Sequence, residues 1–238
     1  MKTETSLDNK LFYDVKNTII KHFGPKQIMS ILVYGNRINN KKHVDQHSDY
    51  DVTIVFKNYP HKNLPLLPPN INLTTLYWPD IKLSGVKNFR LYNHGEFYII
   101  VLSEAKTIHG INPFNKLKMI LPKSNILSSL REQVFLHCSK LAAITLEPES
   151  LIKKRNICKY SFRIAQNFYF LKNQHVNYKE FTNKSRNEWV SIFMKNMVLS
   201  PDLIKYLIKV NDVNKSIKNM EVFNYIHTIK SKLLKTHE

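Results

Sequence analysis

Residues 6–23, SLDNKLFYDVKNTIIKHF, set Leu11, Val15, Ile19 and Ile20 on one helical stripe behind a Ser-x-Asp cap region, and Gly24-Pro25 stops it. Short apolar runs rich in β-branched residues follow: QIMSILVYG (27–35), DYDVTIVF (49–56) and, after the proline-rich YPHKNLPLLPPN (59–70), NINLTTLYW (70–78). The predicted order is helix, strand, loop, strand, long loop, strand. FRLYN (89–93) reads as a further strand. GEFYIIVLSEAK (95–106) fits helix or strand, because its apolar run has no decisive period, with helix the preferred reading. Beyond HGINPFNKLKMILPKSN the pattern turns helical, at about 125–146, 149–172, 185–198, 201–210 and 214–234. In the last of these, Ile217, Met220, Val222, Ile226, Ile229 and Leu233 form the apolar stripe. The expectation is an α+β chain, with an α/β domain over 1–120 and an all-helical domain over 121–238.

A length of 238 residues and a hydrophobic share of 43% suffice for full cores. The N-terminus, MKTETSLDNKLFYDV, is polar where a signal peptide carries its apolar segment, and FYIIVL (97–102) is too short to span a bilayer. Cys138 and Cys158 show no CxxC or disulfide framework and read as buried, reduced thiols. A cytoplasmic chain without a membrane partner is expected.

Charge changes the picture: 36 Lys and Arg against 18 Asp and Glu give a net +18. Such a field favours nucleic acid or a phosphate-rich ligand and opposes a polycationic one. Residues 151–238 hold 17 of the basic and 6 of the acidic residues, so the helical part is the more basic per residue. The plain alternative is compositional drift toward Lys, Asn and Ile.

Candidate chemistry gathers in YGNRINNKKHVDQHSDYDVTIVF (34–56). A glycine at a strand end lets the backbone approach a phosphate, and Asn36 and Arg37 supply donors beside it. On an extended segment Asp49 and Asp51 project to one side, where two carboxylates about 4 Å apart repel by about 4 kcal/mol at an effective dielectric of roughly 20. A divalent cation between them, Mg²⁺ or Mn²⁺, relieves that repulsion and neutralises a bound triphosphate. His43, Asp45 and His47 extend the same alternation, which leaves a transition-metal edge as a lesser alternative.

Strand, Gly, loop and Asp-x-Asp leading a strand together resemble the polymerase-β-type nucleotidyltransferase superfamily. The HSDYDVTIV run is most similar to the streptomycin- and spectinomycin-type adenylyltransferases. The resemblance implies an N-terminal domain with a mixed sheet ahead of a helical domain, and transfer of a nucleoside monophosphate from an NTP, with ATP the expected one, to a hydroxyl. It implies metal on Asp49 and Asp51, and nucleotide contacts from Gly35, Asn36, Arg37 and Ser48. KRNICKYSFRIAQNFYF resembles the helix near the nucleotide, which adds Arg155 and Arg163 as phosphate contacts.

Asn36 replaces the family's Ser, and an amide still donates to phosphate. The family's third carboxylate maps to Asn72, and a neutral amide neither accepts a proton nor balances a second divalent ion. Glu96 and Glu104 are the acids available as substitutes. The resemblance points to an aminoglycoside-type small molecule as acceptor, whereas the charge points to RNA. A degenerate, non-catalytic protein that binds RNA or assists assembly is the alternative reading.

Overall fold

The computed structural model describes residues 4–35, 49–84, 97–120, 122–174, 184–212 and 214–235. These divide into two compact units, one made of residues 4–120 and the other of residues 122–174, 184–212 and 214–235.

The first unit is a mixed four-stranded sheet in the order β3-β2-β1-β4, with strands β1 (Ile28–Tyr34), β2 (Tyr50–Phe56), β3 (Ile71–Tyr77) and β4 (Lys106–Gly110). β1 runs antiparallel to β2 and β4, while β2 and β3 are parallel. Helix α1 (Glu4–Phe23) lays Phe12, Val15, Ile19 and Phe23 on the face that carries Ile31, Val33, Tyr50, Val52, Ile54 and Phe56. Leu11 and Ile20, placed on the stripe by the sequence pattern, are only partly buried at its margins. The helix ends at Gly24, whose φ of 84° suits glycine and whose N–H reaches Ile20 O at 2.8 Å.

Among the described residues three further helices are α2 (Trp78–Ser84), α3 (Phe97–Ser103) and α4 (Phe114–Ile120). The ambiguous run around FYIIVL is thus helical, with Tyr98, Ile99, Ile100, Val101 and Leu102 all buried. α2 takes Trp78 out of the strand expected over 70–78, since the chain turns helical directly after β3, with Pro79 and Asp80 in its first turn. α4 was also unanticipated. Its start is organised by Asn112, whose Oδ1 accepts from Phe114 N at 3.0 Å and whose Nδ2 donates to Leu102 O at 2.8 Å. The expected strand at 89–93 lies outside the described residues.

The second unit is helical in its described residues: α5 (Lys123–Thr145), α6 (Leu151–Asn173), α7 (Arg186–Lys195), α8 (Pro201–Asn211) and α9 (Asn219–Lys235). Ser150 caps α6 by accepting from Lys153 N at 3.0 Å, and Ser185 and Glu188 form a reciprocal capping box on α7. Trp189 is fully buried among Tyr169, Phe170 and Phe193, and Tyr206 stacks on Tyr225 with centroids 4.5 Å apart. α9 starts at Asn219, later than its pattern predicts, and buries Tyr225 where the expected stripe had Met220, which is exposed. Cys138 and Cys158 are free and buried. Burial pushes the Cys138 thiol up to about 11 and raises that of Cys158, so both stay protonated. No described helix is long and apolar enough to cross a membrane.

His137 of α5 is buried against the Tyr160 ring of α6, and its Nδ1 has no hydrogen-bond partner among the described residues. Burial first, and then the charges of Arg163, Lys140 and Lys159, lower its pKa from 6.5 to about 3. The unfolded chain therefore takes up a proton near pH 6.5 that the folded chain refuses. Stability from this group is full above pH 6.5 and falls as the pH drops toward 3, by up to about 1.4 kcal/mol per pH unit. Urea unfolding of His137→Phe across this window should show a flatter loss than the parent, and parallel curves would refute the neutral buried imidazole.

Candidate functional site

The site is built where three strands come level. β1 and β2 pair Tyr34 with Asp51, and the parallel β2–β3 register sets Asn72 opposite Asp51 on the other side. Asp51 shares a sheet face with Thr53, away from α1. Asn72 Nδ2 donates to Asp51 Oδ1 at 2.8 Å, so the amide lies on the carboxylate's face.

The other carboxylate oxygen faces the chain as it leaves β1. Gly35 has φ 96°, and a Cβ there would stand 2.7 Å from Asp51 Oδ2. Any side chain at position 35 would collide with the carboxylate as well as strain the backbone. Asp51 is thus held between a bare glycine and an amide donor. Asp49 sits exposed just ahead of β2, where Tyr50 N donates to Asn70 O at 2.8 Å.

Beneath Asp51 lies a layer of hydroxyls. Tyr34 and Tyr98 hydroxyls bond each other, and Thr53 Oγ1 lies 3.4 Å from Tyr34 Oη and 3.3 Å from Tyr98 Oη. Burial raises the pKa of both phenols; for Tyr34 the Asp51 charge adds to it, and for Tyr98 the Tyr34 ring does. Both remain neutral and able to donate, so no second anion forms below the carboxylate. Sequence reasoning missed these three residues. The available signal was the period of two that puts Thr53 under Asp51.

Of the sequence-selected residues, Gly35 and Asp51 come together in the first unit, and Asp49 lies exposed just ahead of β2. Asn36, Arg37, His43, Asp45, His47, Ser48 and Glu96 lie outside the described residues. Arg155 and Arg163 stand half-buried on α6 in the second unit. Glu104 pairs with Lys118 at 2.5 Å. Among the described residues no group of three or more His, Cys, Asp or Glu side chains could hold a metal ion. Asp49 and Asp51 carry carboxylate oxygens, the hard ligand type that Mg²⁺ takes alongside water and phosphate.

No family model matches the sequence, and no curated protein matches it. Among solved structures, the chain is similar to spectinomycin adenyltransferase AAD(9) from Enterococcus faecialis, crystallised with ATP and spectinomycin. The TM-score is 0.58 at 10% identity, over 93% of this chain and 99% of that one. A nucleotidyltransferase-like protein from Exiguobacterium sibiricum aligns over 94% of this chain and 76% of its own length, at 12% identity and a TM-score of 0.32. At such identities the first match speaks for the fold, and the second carries no argument.

Gly35→Ala should destabilise the chain by about 1–3 kcal/mol through strain and displacement of the Asp51 carboxylate. Asn72→Ala, which removes a water-exposed bond, should cost about 1 kcal/mol or less. Denaturant midpoints check both, and a Gly35→Ala protein as stable as the parent would rule out the close approach.

Proposed function

We propose that this chain, which has the polymerase-β-type nucleotidyltransferase fold, binds an NTP with Mg²⁺ or Mn²⁺ and moves the nucleoside monophosphate to a hydroxyl acceptor. ATP is the first nucleotide to test. Residues 1–120 act as the nucleotidyltransferase domain and 121–238 as a helical domain. The observation that carries the reading is the Asp51 carboxylate held between Gly35 and Asn72 at one end of three level strands.

In this reading Asp49 and Asp51 hold the divalent ion, which supplies charge neutralisation on the triphosphate. The Gly35 backbone, Asn36, Arg37 and Ser48 contact phosphate oxygens, with Arg155 and Arg163 as further phosphate contacts. Asp51 is oriented from one side by the Asn72 amide, and the neutral Tyr34–Thr53–Tyr98 layer adds no competing charge beneath it. The acceptor is an aminoglycoside-type small molecule by likeness to the adenyltransferase, or RNA by the net charge of +18, which opposes a polycation.

Asn72 supports a second reading. It donates to Asp51 and has no basic atom to take the acceptor's proton, so it adds nothing to general-base chemistry. A nucleotide-binding protein with little transfer, acting as an RNA-binding or assembly factor, fits that feature.

Mg²⁺-ATP at about 100 times its dissociation constant should add about 2.7 kcal/mol to the folded state, read as a rise in melting temperature. Asp51→Asn or Asp49→Asn should abolish the rise; variants that respond like the parent would sink the metal assignment.

Asn72→Glu or Asn72→Asp should raise NMP transfer, by up to roughly 10²- to 10⁴-fold, with little change in nucleotide affinity. Transfer of label from α-labelled ATP to aminoglycosides and to RNA measures it. A parent that already transfers fast and is slowed by either change would place the missing base elsewhere.

A further inference from the structure

The crossover from β2 to the parallel β3 is made by residues 57–70, KNYPHKNLPLLPPN, without a helix. Four prolines stiffen it, and contacts fix it along its length. Asn63 O accepts from His22 Nε2 at 2.7 Å, Lys62 Nζ donates to His22 O at 2.9 Å, and Tyr59 bonds Asp80. Leu67 turns inward against the α1 face of the sheet, and Ile71 N reaches Pro68 O at 3.0 Å.

With the loop held, two leucines are left outside: Leu66 is 99% exposed and Leu64 50%. A single exposed leucine is ordinary on a protein surface. Here the pair sits in a proline-ordered segment tied through Lys62 and Asn63 to the end of α1, where the chain also carries exposed lysines. Lys62 caps the last turn of α1, near Lys21 and Lys26, and Lys57 N donates to Gln27 O at 2.8 Å. Lys21, Lys26, Lys57 and Lys62 are all exposed. Among the described residues no carboxylate pairs with Lys21, Lys26 or Lys57, and Asp80, at the base of the loop, is engaged by Tyr59.

We propose that this surface docks the protein onto an anionic membrane face, Leu64 and Leu66 entering the headgroup layer while the four lysines lie against lipid phosphates. Apolar groups that enter the boundary and basic groups that stay at it are the two components of peripheral membrane binding, and neither suffices alone. Nucleic acid would use the lysines equally well. It gives no role to leucines held outward between prolines, so the membrane accounts for more of what is present. That no described helix is long and apolar enough to cross a membrane does not bear on an interfacial loop.

The full chain is sedimented with vesicles of phosphatidylcholine containing phosphatidylserine, and with vesicles of phosphatidylcholine alone. The parent should partition to the anionic vesicles and not to the neutral ones. Leu66→Asp should weaken partitioning roughly tenfold, and the double change Lys57→Glu with Lys62→Glu should weaken it at least as much. Since Leu66 is almost wholly exposed, Leu66→Asp should leave the melting temperature unchanged, which separates a lost contact from a lost fold. The proposal is overturned if the parent ignores anionic vesicles, binds neutral ones equally, or binds undiminished after Leu66→Asp. Binding to a single-stranded RNA oligonucleotide that is lost with the lysines, while vesicles are ignored, would reassign the patch to nucleic acid.

Discussion

The position of one carboxylate constrains the first unit. Asp51 has β1 on one side and β3 on the other, so its two oxygens are addressed by different strands: Gly35 approaches Oδ2, and Asn72 donates to Oδ1. This requires an antiparallel and a parallel register to agree at a single residue. Side chains alternate along a strand, so a slip of one position in β2 would turn Asp51 toward α1 and bring Tyr50 to the site. The apolar set Tyr50, Val52, Ile54 and Phe56 prevents that slip, because all four are buried in the core with α1. The hydrophobic core thus fixes where the charge stands.

What lies below the charge follows from the same alternation. The face opposite α1 cannot be wholly apolar directly under a carboxylate without a large desolvation penalty. Here the first buried layer consists of Tyr34, Thr53 and Tyr98, whose hydroxyls satisfy one another. α3 supplies Tyr98, so the docking of that helix and the environment of Asp51 are one arrangement. An enzyme and a nucleotide-binding protein without transfer would both need this floor; they differ at Asn72, where an amide orients its neighbour and takes no proton.

The second unit is stabilised by different means. Its helices carry explicit stop and start signals, Ser150 and Ser185 among them, and its core is aromatic around Trp189 and around the Tyr206–Tyr225 stack. Similarity to the adenyltransferase structure extends over 93% of the chain at 10% identity. Patterns of burial, register and punctuation can persist at that distance, whereas substrate-determining side chains need not, so the fold carries further than the acceptor.

The sequence by itself determined the elements whose signals are local. The stripe of α1 and its Gly24 stop, the strands β1, β2 and β3, and the order of an α/β part before a helical part were legible from period and punctuation. So was the nearness of Gly35 to Asp51. Local pattern gave FYIIVL only a preference for helix, which the structure bears out, because Tyr98 to Leu102 are all buried and no period survives in such a run. It missed α2 and α4, each only 7 residues long and started by a single proline or asparagine. It placed Met220 in a stripe that packing gave to Tyr225. Only the tertiary structure decided that an amide from one strand and a glycine from another would grip Asp51, that two tyrosines would meet beneath it, and that Leu67 would turn inward while Leu66 stayed outside. Each of these depends on a partner brought from a distant part of the chain, and a local period carries no information about which partner arrives.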